Sequence, residues 1–369
     1  MKRKIICMLM ATAMILSMVA CGSNSSPTTA APAQTGSAAA QASSAAAAGS
    51  TKITMKGTDG SVTAENFGYK VTPKKEYTIA VVTKSAAIPV WESHIIAAKK
   101  AGADLGVKIL DYSPSKADNV EEQKRILEDL ITTGVDAVVL APANTEAVKG
   151  PIQDLNNAGI PVIYDNTMGP SDVDYVTYVG VDNTEVGTMI AKEMGKRLNG
   201  QGKVLVMEGV PGQSTSDERT KGCVDTFHKE FPNIQVESGV TKWLFDEGRK
   251  LSEDYITKWG DGLKAIVSVG GNQAEGAVEA VAAAGKKDQV LINGFDVQEP
   301  QYEAVNNGSE IFTVSQGVYQ QAYLSVVAAI HALNGDEVPK LITCPITIVT
   351  KDNLVAMDER PDTLKKKQQ

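Results

Sequence analysis

This chain of 369 residues contains only three histidines and lacks four common enzyme motifs. Its three histidines, His94, His228 and His331, fall in separate predicted helices without the paired spacing of a metal site, so we expect no metal. The chain has no GxGxxG after its first predicted strand, and no GxxxxGKS/T, GxSxG or HExxH pattern. These absences argue against an enzyme and against a cofactor, although carboxylates at strand ends leave acid–base catalysis as an alternative.

No apolar run is long enough for a membrane-spanning helix. Ile5–Ala20 is almost uncharged but has only 16 residues, whereas a span needs roughly 20. It follows a basic start, Lys2-Arg3-Lys4, and ends in small residues before Cys21. A basic start, a short apolar core and a small residue before the cut are typical of a secretory signal. We therefore predict a signal peptide over residues 1–20.

The residues around Cys21 resemble the lipobox of bacterial lipoproteins, in which the cysteine carries a diacylglycerol and becomes the mature amino terminus. The alternative is an ordinary signal peptide with an incidental cysteine. Residues 22–50 contain Ala, Ser, Thr, Gly, Pro, Asn and Gln without charge, a composition that favours a flexible tether. We assign the lipidated cysteine and the tether to residues 21–76. Because residues 51–75 include several apolar side chains, the sequence leaves open whether this part packs on the folded domain. The lipobox implies anchoring at the outer face of the cytoplasmic membrane.

The net charge and the cysteine content limit the binding partners and the disulfide bonds that the rest of the chain can have. The net charge is −8, and removal of the three basic residues of the signal, which has no acid, leaves −11. An acidic surface argues against nucleic acid and against electrostatic binding to anionic lipid. Cys223 and Cys344 remain outside the amino-terminal segment. In an exported protein they form either a disulfide or two buried free thiols, and the sequence does not decide between them.

From residue 76 onward, short apolar runs alternate with amphipathic stretches. The predicted strands are continuously apolar, as expected when both faces of a parallel sheet are covered; they include 78–82, 137–140, 161–164, 204–207, 265–269, 290–292 and 311–314. Asn119 followed by Glu122 predicts a helix start, and Gly134 its end. Repeated strand–helix alternation over about 280 residues predicts an α/β fold with doubly wound parallel sheets in two lobes.

Polar and aromatic residues follow the predicted strands, where ligands of open parallel sheets bind. Two carboxylates, an arginine, several amides and an indole occur at these positions. Carboxylates accept hydrogen bonds from neighbouring hydroxyls, arginine and amides donate to oxygens, and an indole covers the C–H face of a ring. The set predicts a binding site for a neutral ligand rich in hydroxyl groups.

The same segments resemble the type I periplasmic binding protein superfamily, specifically the ribose-binding-protein-like receptors of ABC sugar importers. The likeness covers residues 77–350 and includes, in the family's order, DNVEEQKRILEDLITTGVDAVVLAPAN, NNAGIPVIYDN, VGVDNTEVGTMIA, AVAAAGKKDQVLINGFD and TVSQ. It implies two lobes joined by a three-crossing hinge near 181–182, 316–317 and 344–346. The amino-terminal lobe would comprise 77–181 plus 317–344, and the other 182–316 plus 345–369.

The resemblance also implies a set of ligand-binding residues: Trp91, Asp165, Asn166, Arg219, Phe245, Asn272, Asp296 and Gln316. Two positions depart from the ribose binders, since Ile88 replaces an asparagine and Asn166 replaces an arginine. A polar contact and a charged clamp are thereby lost. The implied ligand is therefore a monosaccharide in the wider sense, which includes a pentose, a hexose or a polyol, and not ribose in particular.

Each position also has a structural alternative: the aspartates as helix caps, Arg219 as a surface residue, the aromatics as core. Three rival functions are a regulator of the lactose-repressor type, a surface sensor that presents a sugar to a receptor kinase, and a nucleoside receptor. The first would need a helix-turn-helix where the chain has a signal and a tether. The implied partners of a transporter are the permease and ATPase subunits of an importer. We expect a monomer.

Overall fold

The computed structural model describes residues 52–360 and residue 363. The predicted signal peptide, the lipidation at Cys21 and most of the tether lie outside these residues. The strands are β1 (Thr58–Thr63), β2 (Thr78–Val82), β3 (Lys108–Tyr112), β4 (Ala137–Leu140), β5 (Val162–Asp165), β6 (Tyr178–Gly180), β7 (Gly202–Glu208), β8 (Ile234–Val240), β9 (Leu263–Ser268), β10 (Leu291–Ile292), β11 (Thr313–Ser315), β12 (Pro339–Thr343) and β13 (Thr347–Val349).

Within the described residues, ten helices accompany these strands, with a 3₁₀ turn at Gly260–Gly262. They are α1 (Ala64–Phe67), α2 (Val90–Leu105), α3 (Val120–Thr133), α4 (Lys149–Asn157), α5 (Asn183–Arg197), α6 (Ser214–Glu230), α7 (Phe245–Trp259), α8 (Gly271–Ala283), α9 (Glu299–Asn307) and α10 (Val318–Asn334). The bounds predicted for α3 are confirmed: Asn119 Oδ1 accepts a hydrogen bond from Glu122 N at 3.1 Å, and Gly134 ends the helix in the left-handed conformation.

Two parallel sheets form the body of the molecule. Seven strands pair in the order β1-β12-β6-β5-β4-β2-β3, and four pair in the order β10-β9-β7-β8. Every residue of β4 and β5 is buried, as expected for strands covered by helices on both faces. A short antiparallel pair, β11 with β13, is separate from both sheets. The predicted α/β fold with parallel sheets is confirmed.

We call the part built on the seven-stranded sheet the N-lobe and the part built on the four-stranded sheet the C-lobe. The chain passes between their elements at three places: from β6 to α5, from β11 to α10, and from β12 to β13. Helix α5 packs against α6 of the C-lobe, whereas α10 packs against α2, β4 and β5 of the N-lobe. Each lobe therefore contains segments that are distant in sequence.

The predicted tether is too long, because residues 58–76 are part of the N-lobe. Strand β1 pairs in parallel with β12, with Val62 opposite Ile342. Phe67 lies edge-on to His331 at 5.5 Å between ring centroids, and Lys74 N donates to Asn334 Oδ1 at 3.0 Å. The apolar residues of this segment bury their side chains against α10, which a spacer would not do.

The two remaining thiols are both free and buried: Cys223 lies on α6, and Cys344 follows β12. The described part of the chain includes no helix with the length and apolar character needed to cross a membrane.

Candidate functional site

A cavity lies between the lobes, beyond the carboxyl ends of strands from both sheets, and contains about 470 Å³ of atom-free space when its solvent-open mouth is included. We call it the interlobe cavity. Six of the eight predicted ligand-binding residues line it: Trp91, Asn166, Arg219, Asn272, Asp296 and Gln316. Asp165 and Phe245 do not. The set implied by the family resemblance therefore converges on this cavity except at Asp165 and Phe245.

Strained backbone is concentrated at this cavity. Of the six described non-glycine residues with positive φ, four line it: Asp118 at 54°, Asn166 at 60°, Trp243 at 64° and Asp296 at 63°. Left-handed backbone is uncommon for residues with a Cβ, and least expected for a bulky indole. Such strain persists where surrounding structure enforces it and is typical of binding sites. Backbone strain thus favours this cavity as the candidate site by a criterion independent of its shape.

Arg219 forms a rigid cationic wall on the C-lobe side. Its Nε donates to Asn183 Oδ1 at 2.7 Å, its Nη2 donates to Gln316 Oε1 at 2.7 Å, and its guanidinium lies 4.2 Å from the centre of the Phe295 ring. Burial lowers the pKa of Arg219 to about 10, and the neighbouring Asp296 opposes this shift. The group therefore stays charged at neutral pH and can donate to a ligand oxygen.

Asp296 is held beside Arg219 by the hinge. Gln316 Nε2 donates to Asp296 Oδ1 at 2.8 Å, and Asn166 Nδ2 of the N-lobe donates to Gln316 Oε1 at 3.1 Å. Burial raises the pKa of Asp296 to about 6, while Gln316 and the nearby cations lower it. At neutral pH the carboxylate is therefore mostly ionised, with an acceptor oxygen available to ligand hydroxyls.

Lys84 and Asp118 line the cavity from the N-lobe and were missed by the sequence analysis. The Lys84 ammonium is buried and donates to Gln213 Oε1 at 3.1 Å and weakly to Thr215 Oγ1 at 3.5 Å. Burial lowers its pKa to about 8, although Asp118 opposes the shift. Burial also raises the pKa of Asp118. A signal for Lys84 was present, because it lies two residues past β2 and so follows the strand-end rule.

Two tryptophans flank the cavity, one from each lobe. Lys84 Nζ lies 5.4 Å from the centroid of the Trp91 ring and 6.0 Å from that of Trp243, and since these distances add to 11.4 Å the centroids cannot be farther apart than that. Indoles cover the C–H faces of a sugar ring, whereas the charged groups can bind its hydroxyls. The cavity therefore offers indoles that can stack on the faces of a small polar ring and charged groups that can bind the hydroxyls at its edge.

Phe245, the predicted aromatic residue of the C-lobe, does not line the cavity, whereas Trp243 does. Phe245 is the first residue of α7 and lies outside the cavity. Gly209 and Gly270 make room for the Trp243 ring: a Cβ there would come within 2.0 Å and 2.5 Å of indole atoms. The left-handed backbone at Lys242 and Trp243 determines which aromatic points inward, and no local sequence pattern reveals it.

Asp165 lies behind the cavity, contrary to its predicted place in the lining. It is the last residue of β5, and because side chains alternate along a strand, its neighbour Asn166 faces the ligand space instead. Ser325 Oγ on α10 donates to Asp165 Oδ1 at 3.2 Å, and His94 Nε2 lies 3.5 Å from Oδ2. Burial raises the pKa of Asp165 to about 7 and lowers that of His94 to about 3.

We expect Asp165→Asn to stabilise the ligand-free protein increasingly as the pH rises. A carboxyl whose pKa is about 7 when folded and about 4 when unfolded favours folding below pH 4, and this contribution is lost between pH 4 and 7. Asparagine keeps the acceptor for Ser325 without the buried charge. The variant should equal wild type near pH 4 and exceed it by roughly 1–4 kcal/mol at pH 8.

Melting curves from pH 4 to 8 test this expectation. Asp254→Asn, an exposed aspartate of α7, is the matched control and should follow the wild-type curve. An Asp165→Asn variant that is less stable than wild type at pH 8 would contradict the assignment of a buried, destabilising charge.

The cavity is built for hydrogen bonding and stacking. Within residues 52–360 and at residue 363, no group of three or more His, Cys, Asp or Glu side chains is placed to hold a metal ion. The cavity lining includes two cations, two carboxylates and two indoles. This arrangement suits a neutral polyhydroxylated ligand, because each hydroxyl can donate to a carboxylate and accept from a cation or amide.

Two parallel-sheet lobes that the chain joins three times, with a polar cavity between them, define a type I periplasmic binding protein. The chain matches the periplasmic binding protein domain model over residues 79–337 and belongs to that family. It is 30% identical over 292 residues to the D-ribose/D-allose-binding protein of Pseudomonas aeruginosa, covering 76% of this chain and 90% of that relative. The ribose import binding protein of Bacillus subtilis is 29% identical over 284 residues, with coverage of 75% and 88%.

The fold agrees with that of a solved relative. An ABC transporter periplasmic solute-binding protein from Actinobacillus succinogenes, solved with bound D-allose, superposes with a TM-score of 0.72 at 25% identity. The match covers 76% of this chain and the whole of that structure. The family resemblance expected from the sequence is confirmed.

Proposed function

We propose that this protein is an extracytoplasmic solute-binding lipoprotein that captures a monosaccharide (a pentose, hexose or polyol) in the interlobe cavity and delivers it to an ABC importer. The observation that carries the proposal is the convergence of charged, amide and indole side chains from both lobes, several on strained backbone, in one small cavity. The relatives named above are binding proteins, which favours capture over catalysis.

The strength of the available interactions supports this function. Each hydrogen bond to a charged group contributes roughly 1.5–3 kcal/mol, and micromolar affinity requires about −8.2 kcal/mol. Arg219, Asp296, Lys84 and Asp118 offer four charged groups, and the indoles add stacking area. A ligand of about a dozen atoms would need about −0.7 kcal/mol per atom, which lies within the range of small ligands.

In the proposed mechanism the two lobes close on the ligand. Asn166 of the N-lobe and Arg219 of the C-lobe both bind Gln316 at a crossing, so the ligand groups of the two lobes are adjacent in this closed arrangement. Ligand would stabilise the closed form, because only there do both lobes contact it. The closed form would then dock on the permease subunits, and the ATPase subunits would drive import.

A thermal-shift screen against pentoses, hexoses, polyols and nucleosides tests the ligand class. At least one neutral sugar or polyol should raise the melting temperature, and small-angle scattering with that ligand should show a smaller radius of gyration than without it. Stabilisation by nucleosides alone would replace sugar by nucleoside in the proposal. No shift with any compound, or an unchanged scattering profile at saturating ligand, would contradict it.

Cys21→Ala should release the protein into the medium or leave it unprocessed at the membrane, because the proposed diacylglycerol anchor requires the cysteine sulfur. Cell fractionation and the apparent size of the protein provide the measurement. Inhibition of lipoprotein signal peptidase should likewise leave the signal peptide, residues 1–20, attached. A mature size that the inhibitor does not change would show that the signal is processed in another way.

A further inference from the structure

The Gln213 side chain joins the two lobes through a completely satisfied amide. Gln213 directly precedes α6 in the C-lobe and is fully buried, but it does not line the interlobe cavity. Its Nε2 donates to Asp118 Oδ1 at 2.6 Å and to Ala143 O at 2.8 Å. Its Oε1 accepts from Lys84 Nζ at 3.1 Å and from Trp243 Nε1 at 2.9 Å. Two donors and two acceptor positions exhaust what a primary amide can offer.

The four partners of this amide divide between the lobes. Lys84, Asp118 and Ala143 belong to the N-lobe, and Trp243 belongs to the C-lobe. Three of them, Lys84, Asp118 and Trp243, line the cavity. The bonds from Gln213 to the N-lobe can form only when the lobes are close. A single buried side chain therefore connects two cavity-lining groups of the N-lobe, Lys84 and Asp118, to Trp243 of its own lobe when the lobes are close.

We propose that Gln213 is a positioning residue for ligand capture: it contacts no ligand, but it couples lobe closure to the ordering of Lys84 and Asp118 beside Trp243 of its own lobe. The test by sugar affinity rests on the proposed sugar-binding function, whereas the test by interlobe distance without ligand does not. In the open form water hydrates Gln213, the ammonium and the carboxylate separately. On closure the amide replaces that water and holds the charged groups in the orientation that the ligand meets.

The coupling predicts an effect that is the same for every ligand. A residue that touches one hydroxyl discriminates between sugars, whereas a residue that acts on closure changes all affinities by one factor. Other contacts between the lobes limit that factor, since Thr145 N donates to Gly212 O at 2.9 Å and Met168 N donates to Ser214 Oγ at 2.9 Å. Closure should therefore be weakened but not abolished when Gln213 is replaced.

Gln213→Met tests the proposal, because methionine has a similar length but lacks the amide. We expect the dissociation constant of every sugar that binds wild type to rise by a common factor of about 10 to 100. Gln235→Met, at an exposed position of β8 in the same lobe, is the matched control and should bind as wild type. Unchanged affinity, or a change confined to one sugar, would overturn the positioning role.

A ligand-free measurement separates this inference from the proposed function. Spin labels on exposed positions of the two lobes report the interlobe distance by double electron–electron resonance. Without ligand, the short-distance fraction should be smaller in Gln213→Met than in wild type; identical distributions would overturn the inference even if no sugar bound. Should Gln213→Met fail to fold, Gln213→Asn replaces it in both measurements, because its shorter amide cannot reach both lobes and the same results are expected.

Discussion

Asp296→Ala should weaken sugar binding by roughly 2–4 kcal/mol, a factor of about 30 to 1,000. The carboxylate lines the cavity, and its loss removes a charged acceptor and leaves ligand hydroxyls and the Gln316 amide unpaired. The melting temperature without ligand should stay the same or rise. Burial raises the pKa of Asp296 to about 6, so the ligand-free protein bears a desolvation cost at this carboxylate, which alanine removes.

Titration calorimetry and melting curves of the variant provide the measurement. Asp182→Ala is a suitable control, because Asp182 is an aspartate that does not line the cavity and caps α5 by accepting from Glu185 N at 3.0 Å. Its loss should lower stability by about 1 kcal/mol and leave affinity unchanged. Wild-type affinity in Asp296→Ala, combined with a clear loss of stability, would show that Asp296 has a structural role and does not bind the ligand.

Trp243→Ala should weaken binding by about 10- to 100-fold, whereas Phe245→Ala should leave it nearly unchanged. Trp243 contributes an indole face to the cavity and donates from Nε1 to Gln213, so its removal costs stacking area and one hydrogen bond within the C-lobe. Phe245 is an aromatic residue only two positions away that lies outside the lining. The two variants therefore compare the loss of a ring inside the cavity with the loss of a ring outside it, at nearly the same place in the sequence.

The two dissociation constants decide which aromatic residue serves the C-lobe. Trp243→Phe refines the result: it keeps a ring but loses the Nε1 donor, and we expect an affinity between those of wild type and Trp243→Ala. If Phe245→Ala weakened binding more than Trp243→Ala, the arrangement of the loop between β8 and α7 described above would be incorrect.

Features set by local rules were predictable from the sequence. Short apolar strands, the capped helix α3 and the positions of Asn166, Arg219, Asp296 and Gln316 follow from patterning and from the rule that ligands bind at strand ends. The side of a strand on which a residue points is harder to predict at the strand end. Asp165 and Asn166 are adjacent, and the exact end of β5 decides which of them faces the cavity.

Features set by distant partners were not predictable. The surroundings of Lys84 depend on Gln213, which is 129 residues away along the chain. Strand β1 looked like part of a spacer because its composition is polar and its partner, β12, follows it by most of the chain. Trp243 enters the cavity through two consecutive left-handed residues, a backbone choice stabilised by space at Gly209 and Gly270 and not by the local sequence.

The pairing of β1 with β12 has a mechanical consequence. A pull from the proposed membrane anchor would reach the fold at Thr54, whose N donates to Ala332 O of α10, and then at β1 on the edge of the N-lobe sheet, and it would not act across the interlobe cavity. Since the two strands are parallel and hydrogen-bonded along Ser61–Thr63, such a load would shear several bonds together, which resists rupture better than opening them one at a time. The C-lobe would carry none of that tension, so attachment to a surface would leave it free to open and close on its ligand.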